Sequence, residues 1–87
     1  MLIRCKANAG TMQSSDLMVM VEPFETLQIE IESTVKKQYE HLIRARIEAT
    51  IAQLEVSTGI IRVSDRGALD YAIAARVETA IRRASGE

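Results

Sequence analysis

The stretch "LQIEIES", residues 27–33, decides the fold. Leu27, Ile29 and Ile31 fall on one face and Gln28, Glu30 and Glu32 on the other, the period-two pattern of a strand with one face covered and one in water. Ser33 or Thr34 then offers a hydroxyl that can accept from an orphan amide in the first turn of a following helix. Val35, Tyr39, Leu42, Ile43, Ile47, Ile51 and Leu54 recur at helical spacing, with Lys36, Lys37, Glu40, Arg44, Glu48 and Glu55 on other faces. That spacing predicts a helix from Val35 to Leu54. Gly59 marks a turn, and Ile60, Ile61 and Val63 form a short β-branched run that reads as a strand.

Downstream, "SDRGALD" (64–70) is rich in turn and capping types, and Leu69, Ile73, Val77 and Ile81 then repeat every four residues along a second helix. Ala72, Ala74, Ala75 and Ala80 favour that helix and are small enough to let it approach a sheet closely. Arg76, Arg82 and Arg83 gather late in it, where cations suit the helix dipole; they read as a solvated basic end or as a docking face for a larger subunit. Upstream, Leu17 to Val21 is apolar at every position, as in a strand covered on both faces. Pro23 cannot donate a ladder hydrogen bond, so "EPFET" reads as the connection out of that strand. Residues 1–8, "MLIRCKAN", show no period and read as a loose N-terminal arm, followed by the small, flexible Ala9-Gly10-Thr11.

The order strand, strand, helix, strand, helix predicts an α+β domain spanning residues 1–87, a two-layer sandwich of a small three-stranded sheet with both helices on one face. If the third strand is parallel to the second, the crossover through the first helix should be right-handed.

Composition narrows the function. The 87 residues are 47% hydrophobic and 26% charged with a net charge of -1, which fits one small folded domain. Aromatics are only Phe24, Tyr39 and Tyr71, so the core is aliphatic and there is no stacking platform for single-stranded nucleic acid. Residues 1–33 carry a charge of -3 and residues 34–87 a charge of +2, an asymmetry suited to docking on proteins more than to binding a polyanion. Cys5 is alone and has no partner for a disulfide, a metal or redox chemistry. No apolar run approaches the ~20 residues of a membrane span, and the start lacks a signal-peptide layout, which makes cytoplasm the expected location.

Catalytic machinery is also hard to find. His41 is the only histidine, mid-helix beside Glu40 and without a second ligand at metal spacing. Glu30 and Glu32 share a strand face and read as its solvated side, while Met12, Met18 and Met20 read as packing. "STGII" and "DRGAL" each hold one glycine and neither forms a phosphate-cradling loop. We therefore expect no catalytic residue and no metal. What is left is "TMQSSD", residues 11–16. Serine and aspartate are ordinary turn residues, yet a serine on an accessible loop is also a good acceptor for a group attached by another enzyme.

"AGTMQSSDLM" (9–18) together with "GALDYAIAARVETAIRRASG" (67–86) resembles the acyl carrier subunit, or γ chain, of citrate lyase, and "VEPFETLQIEIESTVKKQYEHLIRARI" (21–47) resembles the family's middle section. The likeness is colinear over nearly the whole chain. It implies a non-catalytic carrier subunit holding acetyl and citryl thioesters on a phosphoribosyl-dephospho-CoA group, linked by a phosphodiester to one serine. By position that serine is Ser14, with Gly10, Thr11 and Asp16 as the supporting loop, and Ser15 sits where the family tolerates a small residue. The implied partners are the citrate lyase α subunit, which exchanges acetyl for citrate, the β subunit, which cleaves the citryl thioester to oxaloacetate, and a prosthetic-group transferase. Two other readings stay open: the acyl carrier of a malonate decarboxylase, which uses a similar group, and a purely structural interaction module.

Overall fold

The computed structural model of the chain describes residues 1–34 and 37–86. Four strands, β1 (Ala7–Gly10), β2 (Leu17–Glu22), β3 (Leu27–Ser33) and β4 (Gly59–Asp65), form one sheet in the order β1-β2-β4-β3. Two helices, α1 (Glu40–Gln53) and α2 (Asp70–Ala84), complete the domain. The pairs β1–β2 and β2–β4 are antiparallel, whereas β3 and β4 run parallel from Leu27↔Gly59 to Ser33↔Asp65 and are joined through α1. Parallel neighbours need such a crossover.

The expected α+β sandwich is present, but the sheet has four strands where the sequence predicts three. The extra one is Ala7–Gly10, whose residues pair with Met18 to Val21. Alanine, asparagine and glycine have little strand preference of their own; the ladder offered by β2 makes this segment a strand. The residues before it are tied down as well and do not form a loose arm. Ile3 is buried, the Met1 ammonium bonds the carbonyls of Leu54 and Glu55, and the amides of Arg4 and Cys5 donate to the Ala84 carbonyl.

The core lies between the helices and one sheet face. Leu17, Val19 and Val21 from β2, Ile61 and Val63 from β4, Ile43, Ile47 and Ile51 from α1, and Ile73, Val77, Ala80, Ile81 and Ala84 from α2 are all buried. Ala80 and Ala84 have no exposed surface, which is how α2 comes close over β1 and β2 while α1 packs beside it. The buried Thr50 hydroxyl donates to the Arg46 carbonyl one turn back, so it costs little.

Three local expectations change. The strand Leu17 to Val21 is covered on one face only, because both helices lie on the same side: Met18 is half-buried, and Met20 points out with 46% of its surface exposed. Met12 is exposed too. The first helix begins later than its spacing predicts, with a 3-10 turn at Lys37–Tyr39 before Glu40; Val35, its expected start, lies outside the described residues. Neither Ser33 nor Thr34 caps it, since Tyr39 holds the cap position without a side-chain bond and the Ser33 hydroxyl donates to Asp65. Leu69 precedes α2 and is exposed, so the buried stripe starts at Ile73.

Candidate functional site

One end of the sheet gathers the β1–β2 loop, the C-terminal ends of the parallel strands β3 and β4, and the start of both helices. The carboxyl ends of parallel strands are where sheets of this kind leave room for ligands. The β1–β2 loop, residues 11–16, contains every position that the sequence singles out apart from Gly10 at the end of β1.

Gly10 is required by the backbone. Its φ is +99°, and a Cβ placed there would sit 1.9 Å from the Leu17 carbonyl oxygen, well inside any permitted contact. The close approach lets the Thr11 amide donate to that same carbonyl and close the loop at its base. Asp16 organises the interior. Its carboxylate accepts from the Thr11 hydroxyl at 2.6 Å, from the Leu17 amide at 2.8 Å, and from Nε and Nη2 of Arg76 at 3.2 and 3.1 Å. Thr11 Oγ1 in turn accepts from the Gln13 amide. The Thr11 hydroxyl first, then the Leu17 amide and Arg76, hold the Asp16 carboxyl below its ordinary range against the opposing effect of partial burial.

The far side of the loop is pinned to the β4–α2 connection. The Ser15 amide donates to the Arg66 carbonyl at 2.8 Å, and the Arg66 amide donates to the Asp16 carbonyl at 2.9 Å. Ser15 adopts φ 65°, a left-handed conformation uncommon for a residue with a side chain. The connection itself is fixed by Asp65, 1% exposed, which accepts from the Ser33 hydroxyl and from the amides of Gly67 and Ala68. Ser14 sits at the tip between these anchors, exposed, and among the described residues no hydrogen bond engages its hydroxyl. Both serine side chains are exposed; the two differ in their backbones, because Ser15 is held at φ 65° with its amide bonded to the Arg66 carbonyl, while Ser14 carries neither constraint.

Arg76 is the residue that local reading misplaces. It sits mid-helix and not at the α2 terminus, and its partner is Asp16, sixty residues away in sequence. A strand loop and a helix face have no sequence signal that pairs them; only the quoted C-terminal likeness includes this position. Arg82 and Arg83 do occupy the last turn, where Arg82 pairs with Glu78 and Arg83 donates to the Asn8 carbonyl. Elsewhere, His41 is exposed on α1, and Glu30 and Glu32 lie on the open sheet face opposite Arg62 and Arg66. Among the described residues no group of three or more His, Cys, Asp or Glu could hold a metal ion, and no helix is long and apolar enough to cross a membrane.

Residues 4–84 match the family model for the malonate decarboxylase delta subunit, an ACP. The citrate lyase acyl carrier protein of Halothermothrix orenii is 48% identical over 86 residues, covering 98% of this chain and 92% of that one. Its counterpart in Haemophilus influenzae strain PittEE is 46% identical over 81 residues, covering 93% and 85%. In three dimensions the chain resembles one chain of a Pseudomonas malonate decarboxylase hetero-tetramer solved with malonate, with a TM-score of 0.77, 21% identity, and coverage of 93% and 84%. At that identity the likeness speaks for the fold alone.

Proposed function

The chain belongs to the citrate lyase acyl carrier protein family, whose members carry acyl groups and do not catalyse their turnover, and on that premise we propose that it serves citrate lyase through a phosphoribosyl-dephospho-CoA group attached to Ser14. The observation that carries this reading is the presentation of Ser14: an exposed hydroxyl with no hydrogen-bond partner among the described residues, at the tip of a loop anchored on both sides and beside Ser15, whose backbone is held at φ 65° by the loop's anchor.

The residues fit a covalently tethered group. A phosphodiester on Ser14 Oγ would displace no hydrogen bond among the described residues and would leave from an exposed position on a loop whose neighbouring residues are bonded to the Arg66 backbone and the Arg76 side chain. When bound, the group supplies a thiol that holds the acyl chain as a thioester. This chain's own contribution is placement. Gly10, Thr11, Asp16 and Arg76 hold the base of the loop rigid, so the tether leaves from a defined point and keeps its end at high effective concentration near successive active sites. Those sites belong to the α and β subunits of citrate lyase, and a prosthetic-group transferase performs the attachment, all in the cytoplasm.

Malonate decarboxylase is the neighbouring alternative, favoured by the family model and the shared fold. Identities of 48% and 46% to citrate lyase carriers, against 21% to the malonate decarboxylase chain, support the citrate reading. The test is intact mass and peptide mapping of protein co-produced with its maturation enzymes. A single adduct on Ser14 is expected, and an unmodified Ser14, or an adduct confined to Ser15, refutes the reading. Reconstituted complex should then turn over citrate and not malonate, and Ser14→Ala should abolish that activity, which a purely structural module would retain.

A further inference from the structure

At the same end of the molecule as the Ser14 loop, a cavity of about 260 Å³ opens between the starts of α1 and α2. Tyr39, Leu42, Ile43, Ala68 and Ile73 give it an apolar lining, and Gly67 and Asp65 form the side facing the β4–α2 connection. Tyr39, Leu42, Leu69 and Tyr71 are all exposed around this end of the domain, an unusual concentration of large apolar side chains in water for so small a protein. The candidate attachment loop is bonded to the connection that forms one side of the cavity: the Ser15 amide donates to the Arg66 carbonyl, and the next residue, Gly67, is part of the lining.

We propose that this cavity is a resting site for the acyl-thioester end of the tether carried on Ser14, and that it accepts a small uncharged acyl group such as acetyl. The proposal rests on the reading of Ser14 as the attachment point. Its occupant follows from size, chemistry and position. The volume lies just under the roughly 300–1,000 Å³ of sites that enclose drug-sized ligands, so the cavity takes the end of the tether and leaves its nucleotide outside. The lining includes the acidic residues Asp65 and Asp70 and, among the described residues, no basic one; Arg46 reaches Asp70 without lining this cavity. An acyl group bearing its own carboxylates is therefore disfavoured there, and a neutral one is not. A neutral thioester between turnovers is thus shielded from water, whereas a carboxylate-bearing one stays outside and available.

The test measures shielding directly. Protein carrying its prosthetic group, verified by mass on Ser14, is loaded by thiol exchange with acetyl or with succinyl, and the rate of thioester cleavage by hydroxylamine is followed by intact mass and compared with the same thioesters of free pantetheine. A tether holds its end at an effective concentration on the order of millimolar, so an intrinsic affinity about tenfold tighter fills the site in roughly nine molecules in ten. Acetyl should then be cleaved about tenfold more slowly on the protein than on pantetheine, and succinyl within about twofold of its free rate. Leu42→Asp should restore fast acetyl cleavage, while Leu27→Asp, at the opposite end of β3, should leave the protection intact; circular dichroism confirms that both variants fold. Acetyl cleavage at the free rate in the parent protein, or protection that survives Leu42→Asp, overturns the resting site while leaving attachment at Ser14 standing. Protein that carries no group on Ser14 overturns both.

Discussion

Asp16→Asn tests the loop most sharply because the substitution keeps shape and removes charge. The Asn oxygen can still accept from the Leu17 amide and Arg76 Nε, but its NH2 group meets Arg76 Nη2 donor to donor and forces the Thr11 hydroxyl to turn from donor to acceptor, so the charge-assisted bond from Thr11 is lost. A hydrogen bond to a charged group contributes about 1.5–3 kcal/mol, and the Thr11 bond, at 2.6 Å to a carboxylate only 17% exposed, falls in that class. Arg76 is 43% exposed and can turn to water, so its ion pair contributes only about 0–1 kcal/mol. The expected loss is about 2 kcal/mol at pH 7, a fall in Tm of roughly 8–16 °C for a domain of this size. Because the folded-state pKa of Asp16 lies below its unfolded value, its stabilisation is fully present above the ordinary aspartate pKa of about 3.9 and is lost as pH falls through the lower folded value. Thermal or urea unfolding of both proteins at a series of pH values checks this. The difference between parent and variant should hold between pH 7 and 5 and shrink below about pH 4. A difference under about 0.5 kcal/mol at pH 7, or one that grows on acidification, would refute the account of the loop.

Other substitutions probe neighbouring parts of the same end. Gly10→Ala should cost at least 2 kcal/mol, about 1–2 from the left-handed backbone and the rest from the Leu17 carbonyl in its path, read as a lower urea midpoint. Asp65→Ala strands the amides of Gly67 and Ala68 and removes the buried carboxylate that accepts from the Ser33 hydroxyl, and should cost about 3 kcal/mol by the same measure. Ser14→Ala should leave the unfolding free energy within about 0.5 kcal/mol of the parent, since the side chain is exposed and its hydroxyl makes no hydrogen bond among the described residues. Ser15→Gly should raise stability by up to about 1 kcal/mol through relief of the φ 65° conformation, with the mass adduct still on Ser14.

Local pattern determined much of this protein. The β-branched run at Ile60 to Val63 and the four-residue spacing of Ile73, Val77 and Ile81 each mark buried residues, whereas the alternation of Leu27 to Ile31 marks a strand whose apolar side is only partly covered at the sheet edge, with Ile29 and Ile31 half-buried and Leu27 exposed. The loop "TMQSSD" is likewise legible as a loop, and the likeness of its flanks to an acyl carrier singles out Ser14 within it. Tertiary structure decided what period cannot encode. Ala7–Gly10 is a strand only because Met18 to Val21 offers its ladder, and Met20 is exposed because both helices took the other face. The Asp16–Arg76 pair joins residues sixty apart, and the Ser15–Arg66 bond pins the loop to a connection fifty residues away. A sequence lists these groups as separate turn and helix residues; only when the chain closes on itself do their distances, and hence their electrostatics, come into being.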